Sequence, residues 1–236
     1  MLNKKMEESM DILIQAYKTY GDGVVFLTSF SMEDNVITDL MSRAGTGIKH
    51  VTLDTGRLPQ ETYDIMEIIS NRYGITPEIV FPRSEEVENM VRAHGINLFR
   101  SSPSLRELCC EVRKIIPLNR ILSHRRAWIS GIRSEQTVSR KQSETVEPDP
   151  MRPGIMKFNP LLNWNSDHVK EYTEKFMLPI NALYSRGYKS IGCAPCTRAV
   201  LPHESERSGR WWWEDGIKEC GIHAPVRFKP ALREDE

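Results

Sequence analysis

Apolar residues along this chain alternate between short continuous runs and longer stretches with helical spacing. Runs cover residues 24–28, 50–54 and 127–133, and a polar turn follows each of them. Such runs are typical of strands buried in a parallel sheet. Between them apolar residues recur every three or four positions, as in residues 63–73, which is the spacing of a helix with one buried face. The alternation predicts an α/β fold, with a mostly parallel twisted sheet and helices on both faces.

Other elements follow from local signals. An amphipathic helix opens the chain and ends near Gly21, and residues 78–81 form a third short strand. Ser84 is predicted to cap the next helix. A capping box at residues 104–107 predicts the start of a helix that Pro117 ends, because proline lacks the N–H that a helix interior needs.

The pattern is weaker beyond residue 140. Charge and proline predict an exposed loop over residues 141–154, and residues 158–162 are predicted to form an edge strand. Ser166 or Asp167 is predicted to cap the last helix, which leads towards a Cys-x-x-Cys motif.

Composition narrows the class of protein. The 236 residues suffice for a sizeable core, and 32 basic residues balance 32 acidic ones. A neutral chain has no general basic field, which argues against nucleic acid as a partner. Residues 1–11 lack the apolar segment of a secretory signal, and no run reaches the length of a membrane span. We therefore expect a cytoplasmic protein in a reducing compartment, without a membrane partner.

The polar turns after the strands are candidate binding loops. Residues 29–34 and 55–59 follow the first two strands, and Arg133 ends the run at 127–133. Ligands of open α/β sheets bind at the carboxyl ends of the strands. Because the first turn also leads into a helix, its free N–H groups and the helix dipole favour an anion there.

The five cysteines divide into two pairs and one single residue: Cys109 with Cys110, Cys193 with Cys196, and Cys220. Four thiolates suit an iron–sulfur cluster or a structural zinc. Adjacent cysteines on a helix point about 100° apart, so they share one small ion poorly, which favours [4Fe-4S]. The remaining thiol is then a candidate nucleophile. The alternative is four incidental buried cysteines.

Cations accompany both cysteine pairs. Arg113 and Lys114 follow the first pair on the predicted helix, where they offset thiolate charge, hold an anionic substrate, or form a solvated basic helix end. Arg207 and Arg210 precede three tryptophans. We interpret residues 206–236 as a mobile tail that closes over a phosphate-containing ligand, or docks on the core, and residues 1–205 as the binding domain.

With these motifs together, the chain resembles the assimilatory adenylyl-sulfate reductases of the phosphoadenylyl-sulfate reductase family. The motifs are spread over most of the chain, and in the first loop Ser31 and Met32 depart from the Gly-Ala usual in the family. The carrying segments are residues 29–34, 53–59, 109–114, 131–133, 193–196, 209–214 and 218–223.

The resemblance implies a Rossmann-like adenine nucleotide alpha hydrolase fold and a [4Fe-4S] cluster on Cys109, Cys110, Cys193 and Cys196. It implies reduction of adenosine 5′-phosphosulfate to sulfite and AMP through an S-sulfo intermediate on Cys220, with His223 supporting the thiolate and an external thioredoxin as reductant. The implied substrate-binding residues are Ser29, Phe30, Ser31, Glu33, Asp34, Leu53, Asp54, Thr55, Arg57, Arg113, Lys114, Gly131, Arg133, Arg140, Arg207 and Arg210.

Three alternatives stay open. The same reaction on 3′-phosphoadenosine 5′-phosphosulfate, alone or in addition, is the nearest; reductases restricted to it generally lack the two cysteine pairs. A nucleotide-activating ligase or sulfate adenylyltransferase subunit of the same fold would explain the loops but not Cys220. A non-enzymatic zinc or cluster regulator would leave the loops unexplained. A homo-oligomer is compatible with all of them.

Overall fold

The computed structural model of this chain describes residues 2–215 and 221–223, apart from the side chains of residues 138 and 139. The strands are β1 Val24–Leu27, β2 Lys49–Leu53, β3 Glu78–Val80, β4 Ala127–Ile129, β5 Val146–Pro148 and β6 Met156–Phe158. The α-helices are α1 Leu2–Tyr20, α2 Met32–Arg43, α3 Gln60–Tyr73, α4 Ser84–His94, α5 Pro103–Cys110, α6 Ile116–Leu122 and α7 Ser166–Lys175.

The six strands form one sheet in the order β3-β2-β1-β4-β6-β5. All neighbouring pairs are parallel except β5 with β6. The chain moves outward from β1 to β3 and then returns to place β4 on the other side of β1. This reversal makes a crevice at the carboxyl ends of β1 and β4, the place where open α/β sheets bind ligands.

Helices cover both faces of the sheet, as predicted. Successive strand residues point to opposite faces, so Phe26 faces a core that includes Leu13 of α1, Leu40 of α2 and Tyr172 of α7. Val25 and its neighbours face the other core, which includes Leu118 and Leu122 of α6 and Trp128 of β4. Burial on both sides explains why β1 and β4 are almost wholly apolar.

The helix that carries the first cysteine pair differs from its prediction at both ends. Ser102, not Ser104, accepts the hydrogen bond from the N–H of Leu105, at 3.2 Å, and Pro103 occupies the first turn. The helix does not stop at Pro117. It passes through a π-helical segment, Glu111–Ile115, into α6, whose first turn contains that proline. A proline there costs little because its missing N–H lies in the first turn of α6.

Three further local predictions were wrong. Part of the predicted loop forms the edge strand β5, which pairs with β6, so residues 156–158 lie inside the sheet. Ser84 is the first residue of α4 and makes no capping bond, and Asn165 caps α7 by accepting from the N–H of His168 at 2.8 Å.

Among the described residues, no helix combines the length and apolar character that a membrane span requires.

Candidate active site

A cleft of about 210 Å³ opens at the carboxyl ends of β1, β2 and β4. We call it the strand-end cleft. Most of the predicted binding residues lie here, because the carboxyl ends of parallel strands lie at one edge of the sheet and a polar turn follows each strand there. The predicted residues that line it are Ser29, Ser31, Glu33, Asp34, Leu53, Thr55, Lys114, Gly131, Arg140, Arg207, Arg210 and His223.

Asp34 organises the first loop of the cleft. Its carboxylate accepts hydrogen bonds from the Ser29 N–H at 2.6 Å and the Ser29 hydroxyl at 2.8 Å. Ser31 caps α2 by accepting from the Asp34 N–H at 3.2 Å. Burial raises the pKa of Asp34 to about 6, although the bonds from Ser29 act in the opposite direction. The loop is therefore held by side-chain bonds within itself.

Gly131 allows the loop after β4 to approach this carboxylate. A Cβ atom at Gly131 would overlap the Oδ1 atom of Asp34, which lies inside contact distance of that position. The two loops therefore close on each other only because residue 131 has no side chain.

Two predicted binding residues lie behind the cleft. Phe30 is 1% exposed and packs with Ile65 and Ile69 of α3. Asp54 accepts from the N–H of Gly56 at 2.7 Å and from the hydroxyl of Tyr63. Both side chains therefore support the loops after β1 and β2 without lining the cleft.

Arg133, predicted to hold an anion, is buried among carboxylates. It donates to Glu33 at 2.9 Å and to Glu206 at 3.1 Å, and it also pairs with Glu135. These partners come from the first loop, its own loop and the segment before Arg207. In this arrangement Arg133 ties three segments of the cleft wall together.

The four paired cysteines border a second, smaller cavity, which we call the cysteine cavity. Cys109 and Cys110 come from α5, and Cys193 and Cys196 come from the loop after α7. None of these four cysteines forms a disulfide within the part of the chain that the structure describes. Two predicted binding residues, Arg57 and Arg113, line this cavity rather than the cleft.

Charge and burial act against each other on the Cys193 thiol. Burial alone would raise its pKa, but nearby Lys114 and Arg210 and the Thr55 hydroxyl, 3.2 Å from the sulfur, bring it below its ordinary value. The pKa of Cys196 is raised to about 11, by burial first and by the charge on Cys193 second. The surroundings thus favour negative charge on the Cys193 sulfur, and that charge in turn disfavours a second one on the Cys196 sulfur.

The donor set fits a group with several attachment points better than a single ion. No group of three or more His, Cys, Asp or Glu side chains within residues 2–215 and 221–223 is arranged around one metal position. Four thiols nevertheless border one cavity together with cations that offset thiolate charge.

Lys114 and Arg210 line both the strand-end cleft and the cysteine cavity. Thr55 also joins the two, because it lines the cleft and its hydroxyl contacts Cys193. A ligand in the cleft therefore meets the same two cations that face the four thiols.

The predicted nucleophile, Cys220, lies outside the described residues. His223 stacks on Trp128, with ring centroids 5.7 Å apart and an interplanar angle of 16°. Its Nδ1 atom is buried without a hydrogen-bond partner. Burial, followed by the charges of Arg140 and Lys157, lowers the pKa of His223 well below its ordinary value. Burial therefore favours the neutral ring in this arrangement, and support of the Cys220 thiolate by His223 stays a prediction.

Several lining residues were not predicted. Gln136 follows β4, and the segment 189–192 precedes the second cysteine pair. Tyr184 also lines the cleft, and its hydroxyl accepts from the N–H of Met32 at 3.1 Å. Residues 184 and 189–192 follow no strand, so the strand-end rule could not find them. Their polar character, close before a Cys-x-x-Cys motif, was the only available signal.

A mostly parallel sheet with a polar cleft at its switch point is the arrangement of open α/β folds that bind ligands at the strand ends. Structural similarity to a solved phosphoadenylyl-sulfate reductase narrows this to the adenine nucleotide alpha hydrolase-like class. Residues 23–199 match the phosphoadenosine phosphosulfate reductase domain. The chain belongs to the phosphoadenosine phosphosulfate reductase family.

Individual relatives agree with this assignment. An adenosine 5′-phosphosulfate reductase of Burkholderia cepacia is 42% identical over 217 residues, covering 92% of this chain and 86% of that protein. One from Allochromatium vinosum is 42% identical, covering 86% and 79%. Among solved structures, a phosphoadenylyl-sulfate reductase from Candida auris superposes with a TM-score of 0.67 at 28% identity, covering 79% of this chain and 88% of that one.

Proposed function

We propose that this chain is an oxidoreductase of sulfate assimilation that reduces adenosine 5′-phosphosulfate to sulfite and AMP. Membership of the family and the names of the bacterial relatives support this activity. The observation that carries it is the shared wall of Lys114 and Arg210. It places the strand-end cleft next to the four thiols of the cysteine cavity.

In the first step the thiolate of Cys220 attacks the sulfur of the phosphosulfate group. A sulfur–sulfur bond forms, the bond from sulfur to the bridging oxygen breaks, and AMP leaves with the electron pair. Lys114, Arg207 and Arg210 balance the charge that develops on the phosphate and sulfo oxygens. AMP is a good leaving group because its phosphate accepts this charge.

In the second step an external dithiol, for which we propose thioredoxin, attacks the Cys220 sulfur. Sulfite leaves with the electron pair of the broken sulfur–sulfur bond, and the second thiol of the reductant resolves the mixed disulfide. The reductant loses two electrons and is released as a disulfide. Such chemistry fits a reducing cytoplasm, which is the localisation we propose.

The nucleotide occupies the strand-end cleft. Ser31, which lines the cleft at the start of α2, offers its hydroxyl proton to the phosphate, while Asp34 holds both donors of Ser29. Leu53 and Gly131 line the cleft beside it. The cations of the shared wall direct the sulfo end towards the cysteine cavity. We further propose residues 1–205 as the binding domain and residues 206–236 as the tail that supplies Cys220.

The cysteine cavity would hold a [4Fe-4S] cluster on Cys109, Cys110, Cys193 and Cys196. Adjacent thiols on one helix suit separate irons, and Arg57, Arg113, Lys114 and Arg210 offset the negative charge. When bound, the cluster supplies a structural and electrostatic element. The two-electron exchange at sulfur proposed above needs no one-electron carrier.

A second candidate substrate is 3′-phosphoadenosine 5′-phosphosulfate. The matching domain and the superposed yeast structure both carry the name of that activity. The four cysteines at one cavity, which reductases restricted to this substrate generally lack, favour the unphosphorylated nucleotide.

Turnover with each nucleotide tests the proposal. Anaerobically purified protein with thioredoxin should release one sulfite per AMP from adenosine 5′-phosphosulfate, at a much higher kcat/KM than with the 3′-phosphorylated nucleotide. The reverse preference would assign the second candidate. Pyrophosphate exchange without sulfite would indicate a ligase or adenylyltransferase, and bound zinc without turnover a regulator.

A further inference from the structure

We propose that Arg106 and Glu214 are positioning residues. They fix Trp211, and through it they aim Arg210 at the wall shared by the strand-end cleft and the cysteine cavity. The inference rests on the proposed function, because it assigns Arg210 to the sulfo end of the substrate. Neither Arg106 nor Glu214 is among the residues that line the cleft. Arg106 borders the cysteine cavity, whereas Glu214 lines neither, so Glu214 acts only through its partners.

Arg106 and Glu214 form a largely buried ion pair. The Nε atom of Arg106 lies 3.0 Å and 2.9 Å from the two carboxylate oxygens of Glu214, and each side chain is only 11% exposed. The partners are 108 residues apart, one on α5 and one beyond the three tryptophans. A buried pair of this kind is costly to break because the remaining charge stays without its partner. It therefore fixes the turn of residues 211–214 against the cysteine-bearing helix.

Trp211 lies between two guanidinium groups. The Arg106 guanidinium is 4.6 Å from the centroid of the indole, and that of Arg210 is 4.9 Å from it. The indole is 1% exposed, and its backbone has φ +42°, a conformation that a bulky residue keeps only when its surroundings enforce it. The backbone N–H of Trp211 donates to the Cys196 carbonyl at 3.2 Å. The ion pair and this hydrogen bond hold the Trp211 backbone in that conformation.

Arg210 is held flat but keeps donors for a ligand. Its guanidinium lies against Gly192, where a Cβ atom would overlap it, and its Nη1 contacts the Ile191 carbonyl at 3.3 Å. Its Nε atom is buried without a hydrogen-bond partner among the described residues. A buried guanidinium with unused donors suits a sulfo or phosphate oxygen. The stack on Trp211 is the contact that sets the plane of this fork.

Weakening the ion pair should affect the binding of the sulfo group specifically. Weakening the ion pair lets Trp211 move, and Arg210 then loses its direction towards the thiols. Adenosine 5′-phosphosulfate carries the sulfo group and AMP does not, so the affinity for the former should fall while the affinity for AMP stays. A general loss of structure would lower both affinities together.

The test compares Glu214→Gln with Glu107→Gln by equilibrium binding of both nucleotides to the holoprotein. Glu107 is a matched control, because it also contacts Arg106, at 3.4 Å, but from the neighbouring position on α5 rather than from the turn that carries Trp211. For Glu214→Gln we expect the preference for adenosine 5′-phosphosulfate over AMP to fall about tenfold, the effect of losing one charge-assisted hydrogen bond. The control should keep the wild-type preference.

Arg106→Lys is the second variant, because an ammonium keeps the charge but lacks the planar group that stacks on the indole. It should lose preference in the same direction. An unchanged preference in both variants, an equal loss for both nucleotides, or loss of iron or of the native circular dichroism would each overturn the positioning role. If the wild-type protein itself showed no preference, the proposed function would fail first.

Discussion

The strand-end cleft and the cysteine cavity are neighbours, but they are built in different ways. The cleft consists mainly of turns that directly follow β1, β2 and β4, so the sheet topology brings most of its residues together. The cysteine cavity joins segments that are far apart in the chain, including α5 and the loop of Cys193, and aromatic and cationic side chains enclose it. Backbone topology therefore shapes one region and side-chain burial the other. We therefore expect that a substitution in one region impairs that region and leaves the other largely intact.

The largest expected effect comes from Cys193→Ser, a change at a residue that lines the cysteine cavity and not the cleft. A hydroxyl is a poor ligand for iron, so we expect loss of bound iron and a fall in turnover of about 100-fold or more, the scale of losing a structural metal site. The affinity for AMP should change little. Iron and sulfide analysis with calorimetric AMP binding measures both.

Cys220→Ser is the control for this variant, since it removes a thiol outside the four and should keep the iron. If Cys193→Ser lost AMP binding as completely as iron, the two regions would form one cooperative unit and the separation would be wrong.

Gly131→Ala is the converse change, confined to the strand-end cleft. The added Cβ would overlap Asp34 Oδ1, and overpacking of this kind costs about 1–3 kcal/mol. We expect AMP affinity to fall about tenfold or more while iron content stays at the wild-type level.

The matched control is Gly23→Ala at the opposite end of β1, where the added atom meets only the flexible end of Arg126 at 3.0 Å. Equal nucleotide affinities in the two variants would show that the contact between Gly131 and Asp34 does not shape the cleft.

A third effect, on stability rather than on binding or turnover, is the pH dependence that Asp34 gives the cleft. Its pKa is raised from 3.8 to about 6 in the folded chain, so its contribution to stability is fully present below pH 3.8 and is lost as the pH rises through about 6. Asp34→Asn should remove this dependence. Between pH 4 and pH 7 the stability of the wild type relative to the variant should fall by about 2 kcal/mol.

Urea unfolding of both proteins across this range measures the difference. Burial also lowers the pKa of His50 to about 4, which changes the stability with pH in the opposite direction. Because His50 is present in both proteins, its contribution cancels in the comparison. Parallel stability curves would show that Asp34 does not titrate near pH 6.

The contrast between the two regions also explains what the sequence could predict. The loops of Ser29, Thr55 and Gly131 were found because each directly follows an apolar run. Arg133 was assigned to the substrate because it also ends a run, but its partner Glu206 lies 73 residues away and no local signal shows it. The stacking of His223 on Trp128 was hidden for the same reason.

Local signals failed where two candidates competed. Ser102 and Ser104 both suit a helix cap, and Pro103 decides for the former because it prefers the first turn. Strand β5 contains charge and ends in a proline, which is tolerated at the edge of a sheet but is indistinguishable from a loop in the sequence. The gathering of the four cysteines followed from the resemblance, since spacing alone leaves zinc, cluster and incidental thiols open.

The most direct test of the account is intact-mass spectrometry of the holoprotein after addition of adenosine 5′-phosphosulfate without reductant. We predict one added sulfo group per chain, located on the peptide with Cys220, and its removal with release of sulfite when thioredoxin is added. Cys220→Ser should bind the nucleotide and gain no mass. A sulfo group on one of the four paired cysteines, or turnover by Cys220→Ser, would contradict the account.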